Sequence, residues 1–278
     1  MISSRVPAAP GLFTRTICSM RTAIVLLLLV ASASAALAQR NRDSRPAPLD
    51  PDEGDKQGRA LVAEMLAQRP EQNTTNTGAV TIRDAEGKER KLPARFEIYS
   101  TPTNWVSTYQ VLASPAGPGG SKLTVVHNGD QPNRYELCDP ASPGDTNAAP
   151  KTLTSDQLMA PFAGSDFWIA DLGLEFLHWP KQRVLTYEMR HGKSCKKLES
   201  TNPHPAPGGY VRVVSWVMTE PPHGIMHADA YDAGGERLKY WDPKNVEKVE
   251  GEYQLQEMEM RNRKTGSQTS ISFNFARQ

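Results

Sequence analysis

The sequence predicts a mainly β protein of the α+β class, a large antiparallel meander with a few covering helices. Three observations carry this. Across most of residues 74–275, apolar residues recur at every second position in short, turn-bounded runs. No alternation of strands with helix-length segments occurs, so a parallel sheet is excluded. Only two segments, 51–69 and 154–180, break the two-residue period.

Taken in order, residues 1–38 contain Arg5, Arg15 and Arg21 and no acidic residue. They end in an apolar run over 23–30 and the small residues Ala36, Leu37 and Ala38 before Gln39. A basic start, a short apolar middle and a small-residue end are the three parts of a secretory signal peptide. Met20 followed by Arg21 offers a second start. The competing membrane anchor fails on length, because the strongly apolar run is too short to span a bilayer. Cleavage after Ala38 leaves 29 basic against 31 acidic residues, where the whole chain has net charge +1. No cysteine follows the apolar run within cleavage reach, so a soluble, exported protein without a lipid anchor is expected. Removal of Cys18 leaves Cys138 and Cys195. In an oxidising compartment these either form one disulfide or remain two separate thiols.

Residues 39–54 are rich in Pro, Asp and Arg and read as a flexible leader, with a single folded domain over 55–278. Asp50, Pro51, Asp52 and Glu53 look like a helix start, with a capping acid, an early proline and acids near the positive end of the dipole. Leu61, Val62, Met65 and Leu66 then share one helical face, which ends at Arg69 and Pro70. Gly54 and Gly58 weaken the first turns.

The period then changes to two. Val80 with Ile82, Phe96 with Ile98, then Trp105, Tyr109 and Val111 mark the first strands. Residues 123–126 and 134–137 are the next pair, beyond a Pro/Gly loop at 114–120. After the insert, strands resume over 184–189, 194–199, 210–218, 225–231, 236–241, 253–261 and 269–275, for about ten to twelve in all. The insert opens with Thr154 and Gln157 at capping-box spacing. It holds Phe162, Phe167, Trp168, Phe176 and Trp179, five of the chain's twelve Phe and Trp residues, so short helices are expected there.

Chemistry-bearing motifs are sparse. A near-neutral charge without basic clusters excludes a dedicated nucleic-acid binder. His223, His227 and Asp229 form the most metal-like group. Pro221, Pro222 and Gly224 place it on a turn entering a strand, where the two imidazoles stand roughly 13 Å apart. Solvent-facing histidines beside a turn are expected, with no metal and no cofactor. No nucleophile elbow, Walker loop or dinucleotide fingerprint occurs. Asp166 reads as a cap, and Glu257 with Glu259 as a solvated strand face opposite Met258 and Met260. On the strand over 210–218, Tyr210, Val214, Trp216 and Met218 point one way, and Val211, Val213 and Val217 the other. Both faces are therefore covered, or one lines a cavity. The methionines at 189, 218, 226, 258 and 260 suit core or an adaptable ligand pocket.

Five segments carry a resemblance. They are Phe162-Ala-Gly-Ser-Asp-Phe-Trp-Ile-Ala-Asp-Leu172, Cys195-Lys-Lys-Leu-Glu199, Trp216-Val217, Ala230-Tyr-Asp-Ala-Gly-Gly-Glu-Arg-Leu-Lys239 and Glu257-Met-Glu-Met-Arg-Asn262. With these the chain resembles the outer-membrane lipoprotein-sorting protein family, which is LolA-like, over about residues 58–275. Lys196 and Lys197 stand where relatives carry an aromatic and an aliphatic residue. The resemblance implies a strongly curved antiparallel sheet, an incomplete β-barrel closed by helices, with an apolar cavity for acyl chains. It implies a monomeric periplasmic carrier of lipoprotein or lipid acyl chains, loaded by an inner-membrane release complex and unloaded to an outer-membrane acceptor. Phe162, Phe167, Trp168, Leu172 and Phe176 are then the candidate lid or cavity mouth, and Trp216, Met226 and Met258 the candidate wall. Two alternatives stay open: an envelope-stress sensor of the same fold that binds lipid or protein without transport, and an exported hydrolase using Glu257 or Asp166.

Overall fold

The computed structural model describes residues 46–113, 120–140, 148–249 and 252–274. The expected signal peptide and most of the leader lie outside these residues. Residues from Ala47 onward form one compact unit.

Helix α1 spans Pro51–Ala67. The Asp50 carboxylate accepts from the backbone N–H groups of Asp52 (3.0 Å) and Glu53 (3.3 Å), which satisfies two donors that the helix itself leaves open. Helix therefore already begins inside the segment expected to be leader. Leu61 and Val62 are buried, as their spacing requires, and Met65 and Leu66 pack beside them. The two glycines have a role that composition hides. A Cβ at Gly54 would stand 2.6 Å from the Val184 carbonyl oxygen, and one at Gly58 would collide with the Gln182 carbonyl. Their absence of side chain lets the helix lie directly on a strand, where Asp55 and Arg183 clamp it with two bonds of 2.5 and 3.1 Å.

Six strands follow: β1 (Thr74–Arg83), β2 (Glu89–Ser100), β3 (Trp105–Val111), β4 (Lys122–Asn128), β5 (Gln131–Cys138) and β6 (Lys151–Thr152). The insert holds three 3-10 turns, η1 (Ser155–Gln157), η2 (Phe162–Gly164) and η3 (Glu175–His178), around the short helix α2 (Ile169–Leu172). Strands β7 (Lys181–Arg190), β8 (Lys193–Thr201), β9 (Arg212–Met218), β10 (Ile225–Tyr231), β11 (Arg237–Val249), β12 (Glu252–Asn262) and β13 (Gln268–Asn274) complete the chain.

All 13 strands of the described residues belong to one sheet in the order β6-β5-β4-β3-β2-β1-β13-β12-β11-β10-β9-β8-β7, an open, curved antiparallel sheet. It is two meanders, β1–β6 and β7–β13, each built from sequence neighbours. One long-range pairing joins them, β1 to β13, from Thr77 opposite Asn274 to Arg83 opposite Gln268. The strand beyond the expected number is β6, two residues long and too short to show alternation. Strand β11 runs past its expected end through Pro243. The register with β12 shifts between Pro243 and Asn245, which accommodates a residue that cannot donate to the ladder.

Since β6 and β7 form opposite edges, residues 153–180 must cross the sheet, and they cross its inner face. The first part of the insert (Phe162, Phe167, Ile169, Leu172) packs with β1–β5 into one core. Its second part (Phe176, Leu177, Trp179) joins α1 and β7–β10 in another. The Thr154 N–H donates to the Gln157 side chain (3.0 Å), as the capping-box spacing predicted. The free edge of β7 is covered in turn by residues 47–49. Leu49 N–H donates to Leu185 O, and the Thr186 hydroxyl to Ala47 O.

Of the two alternatives for the cysteines, the structure has the separate thiols. Cys138 and Cys195 are both free, on β5 and β8, near opposite edges of the strand order. Cys195 is fully buried on the outer face beside Val214 and Trp216.

Alanine has the higher helix propensity by about 1 kcal/mol. At Gly58 it nevertheless meets backbone, which cannot yield as a side chain does. The expected result of Gly58→Ala is a net loss of about 1–3 kcal/mol in urea unfolding. A gain in stability would show that α1 does not rest on β7.

Candidate functional site

The inner face of the sheet and the helices above it do not meet everywhere. Between them lies a cavity of about 550 Å³, within the roughly 300–1,000 Å³ typical of ligand sites. Helix α1 contributes Met65 and Leu66, and the insert Phe167, Leu172, Phe176 and Leu177. Strands β9 and β10 and the turn between them add Val213, Met218, Ile225 and Met226. Strands β11 and β12 add Trp241, Met258 and Met260. Leu174 (40% exposed) and Val246 (49% exposed) also line it, which locates the mouth between the turn after α2 and the end of β11. The five methionines of this wall, Met65, Met218, Met226, Met258 and Met260, can reshape it around irregular apolar groups.

Five of the sequence-selected residues, Phe167, Leu172, Phe176, Met226 and Met258, are brought together on this wall. Three are not. Phe162 is buried in the core beneath the insert. Trp168 stacks on Tyr210, ring centroids 4.5 Å apart and planes at 17°. Trp216 sits on the outer face, where its indole N–H donates to Glu188 (2.7 Å) and the Lys197 ammonium lies 4.8 Å above its ring. The cause is strand register. Val213 and its neighbours at alternate positions face the cavity, which sends Val214 and Trp216 outward. Both faces of β9 are buried, as its composition predicted, but the apolar residues of the outer face are covered by charged neighbours rather than by a second layer.

Sequence reasoning missed the polar centre of the insert. Lys239, only 1% exposed, lies at an inward position of β11 alternating with Trp241. Its ammonium donates to the Asp166 carbonyl (2.7 Å), sits 3.6 Å from the Trp168 ring centre and 3.9 Å from Asp171. The Asp171 carboxylate accepts from Trp168 N–H (2.7 Å) and the Tyr210 hydroxyl (3.1 Å). Burial pushes the Lys239 ammonium down to about 8, although Asp171 and Asp166 hold it up, and burial raises Asp171. Asp166 itself has a structural role in this setting. Its carboxylate accepts from Ser267 (2.5 Å) and Thr269 (2.8 Å), and its N–H donates to Thr269, fastening the insert to β13. The signal that could have revealed Lys239 is a lysine standing on the apolar phase of a strand.

The two histidines are not the solvent-facing pair that the turn suggested. His223 (7% exposed) lines the cavity, with Nδ1 3.0 Å from Met218 O and Nε2 3.0 Å from Glu64 of α1. His227 (4% exposed) lies on the other face, with Nδ1 2.7 Å from Asp242 and Nε2 3.1 Å from Asp229. Among the described residues no His, Cys, Asp and Glu group is arranged to hold a metal. Glu259, expected on a solvated face, is instead buried among Arg261 (2.6 Å), Lys244 (3.1 Å) and Gln268 (2.5 Å). Glu257 accepts from Asn245 on the same outer face, away from the cavity. Alternation on a single strand shows which face a residue takes, but not what neighbouring strands place over it.

The fold defined by this open sheet, crossing insert and apolar cavity is LolA-like. Solved structures share it, among them three with the following likeness. One is a putative outer membrane lipoprotein-sorting protein domain from Vibrio parahaemolyticus, at 18% identity and TM-score 0.65, covering 80% of this chain and 92% of that one. The second is a DUF1329 family protein from Desulfovibrio piger, at 21% identity and TM-score 0.62, covering 80% and 91%. The third is a LolA superfamily protein from Nitrosomonas europaea, at 17% identity and TM-score 0.54, covering 78% and 91%. A family model described as "Uncharacterized protein" matches residues 146–277, which comprise the insert and β7–β13. No curated protein matches the chain by sequence.

Two measurements check the polar contacts. Lys239→Met removes the ammonium that ties Asp166 and Trp168 and strands Asp171 in an apolar interior. A loss of about 3 kcal/mol or more in chemical denaturation is expected, partly recovered in Lys239→Met with Asp171→Asn. For His227, burial disfavours the charged ring, yet the bonds to Asp229 and Asp242 prevail and its pKa is raised. A group with a raised folded pKa stabilises fully below its unfolded value of about 6.5 and loses that contribution as pH rises through the folded value. The Tm gap between wild type and His227→Asn should therefore be widest in acid and narrow as pH rises. A gap that widens with pH contradicts the charged-histidine arrangement.

Proposed function

We propose that this protein binds the acyl chains of lipoproteins or lipids in its apolar cavity and carries them across the periplasm toward the outer membrane. The observation that supports this best is the cavity itself: an apolar, methionine-rich space of about 550 Å³ with a mouth at the surface. Each methylene moved from water into it gains about 0.8 kcal/mol, so an acyl chain is carried across an aqueous compartment only if so shielded. The lipoprotein-sorting neighbour lends the comparison of fold, and the secretory signal read over residues 1–38 supports export. Among the described residues, no helix is long and apolar enough to cross a membrane. Loading from an inner-membrane release complex and delivery to an outer-membrane acceptor, by a monomer, complete the reading.

Binding rather than catalysis is supported by the carboxylates once considered for hydrolysis. Asp166 is consumed in fastening the insert, while Glu257 and Glu259 lie on the opposite face of the sheet. The insert is a fixed wall in this reading, because Lys239, Ser267 and Thr269 bind it from three points.

Native mass spectrometry on residues 39–278, exported and purified without detergent, tests the proposal directly. A co-purifying lipid or lipopeptide mass, or uptake of an added acylated peptide, is expected. Phe176→Glu and Met258→Glu should reduce occupancy at least tenfold while the circular dichroism spectrum is retained. Trp216→Ala, on the outer face, should leave occupancy unchanged. A protein that is empty and takes up no acyl ligand removes the carrier reading.

A further inference from the structure

The cavity wall is not uniform. Where β3, β4 and β5 meet the turn after α2, the apolar lining gives way to His127, Asn133 and His178. The His127 ring stacks flat on Trp105 (3.6 Å, 9°), with its Nε2 3.0 Å from the Ser107 hydroxyl. Asn133 is oriented by donating to Gly173 O (2.9 Å) in the turn that also carries Leu174 at the mouth. Hydrogen-bonding groups therefore cluster at this end of a space that is mostly apolar elsewhere, apart from His223 beside α1 and the Lys239, Asp171 and Tyr210 group under the insert.

The charge at this end is the informative feature. Burial pushes His127 down to about 4, with the neighbouring His178 adding to the shift, and burial lowers His178 as well. Both rings are neutral at neutral pH. Two carboxylates belong to the same region: Glu175, in the turn that carries His178, accepts from the Tyr135 hydroxyl (2.8 Å), and the Asp130 charge acts on His178. Lys239 is the cation among the lining residues that could answer a negative ligand, but its ammonium is held by Asp166 O, Asp171 and the Trp168 ring.

We propose that this end receives the uncharged polar linkage of an acylated ligand, an ester, amide or hydroxyl, and that the cavity discriminates against chains ending in a carboxylate or phosphate. Neutral imidazole and carboxamide groups offer both donors and acceptors, which match an ester or amide. An anionic head would find no free cation among the described lining residues and would lie within the field of Asp130 and Glu175, an arrangement that disfavours a negative charge. The inference rests on the acyl-carrier reading and adds to it the class of head group.

The test compares three ligands with the same chain, mono-oleoylglycerol, oleate and oleoyl lysophosphatidate. Each displaces the uncharged dye N-phenylnaphthylamine from the mature protein at neutral pH and below micelle-forming concentration. Mono-oleoylglycerol should displace the dye at least tenfold more effectively than either anion. Asn133→Lys, which supplies a cation at a part-exposed position, should reverse the order in favour of oleate while dye uptake is kept. His127→Leu with His178→Leu should lower affinity for mono-oleoylglycerol without lowering that for the dye. Equal displacement by all three ligands, or preference for the anions in the wild type, overturns the head-group inference and leaves acyl binding intact. Failure of the dye and all three lipids to bind overturns both.

Discussion

The pairing of β1 with β13 is the constraint on which the rest of the molecule depends. Each meander alone is a run of local hairpins with one apolar face uncovered, and neither forms a closed core. Joining the first strand to the last makes one continuous sheet and places β6 and β7 at its two edges. The chain between those edges must then traverse the inner face. The apolar insert follows that route over the apolar inner face of the sheet, and its burial there is worth about 25 cal/mol per Å².

That crossing also explains why a cavity exists. The insert is a chain of short turns, each fixed by a few points of contact, and it cannot fill a curved sheet as a regular second layer does. Its descent is set by polar bonds in an apolar setting, Lys239 to Asp166 O and Ser267 and Thr269 to the Asp166 carboxylate. Helix α1 approaches from the β7 side, held close by Gly54 and Gly58, and its far end is tied by Arg69 to the carbonyls of Thr101, Pro102 and Asn104. The space left between these two fixed covers is the proposed binding site. Such bonds cost little to keep, because each buried polar group has its partner, and much to break one at a time.

The outer face follows a different rule. Over β8–β12 it carries Trp216, Tyr231 and Tyr240 under a layer of arginine and lysine, with Arg212 4.0 Å over Tyr231 and Arg237 4.8 Å over Tyr240. The carboxylates of Asp229, Asp242 and Glu259 bind those same cations or the His227 ring between them. Long side chains with charged ends thus cover apolar rings without a second sheet. His227 and Asp229 of the metal-like group, and Glu257 and Glu259, belong to this cover, whereas His223 lines the cavity.

Sequence alone determined what depends on near neighbours in the chain. The period of two defined twelve of the thirteen strands, the Asp50 cap and the 3.6-residue spacing defined α1, and the density of Phe and Trp marked the insert. The apolar character of Phe167, Leu172, Phe176, Met226 and Met258 placed them inside, and the fold resemblance supplied the curved sheet. What only the tertiary structure decided is which inside each residue occupies. Trp216 and Met258 look alike in sequence, but β9 and β12 turn them to opposite faces of the sheet. Gly58 reads as a weak helix residue until Gln182 lies against it, and Lys239 as a surface lysine until Asp166 and Trp168 close over it. The physical reason is range: alternation and capping are interactions within a few residues, whereas register between strands and the path of the insert are set by contacts between segments as far apart as β1 and β13.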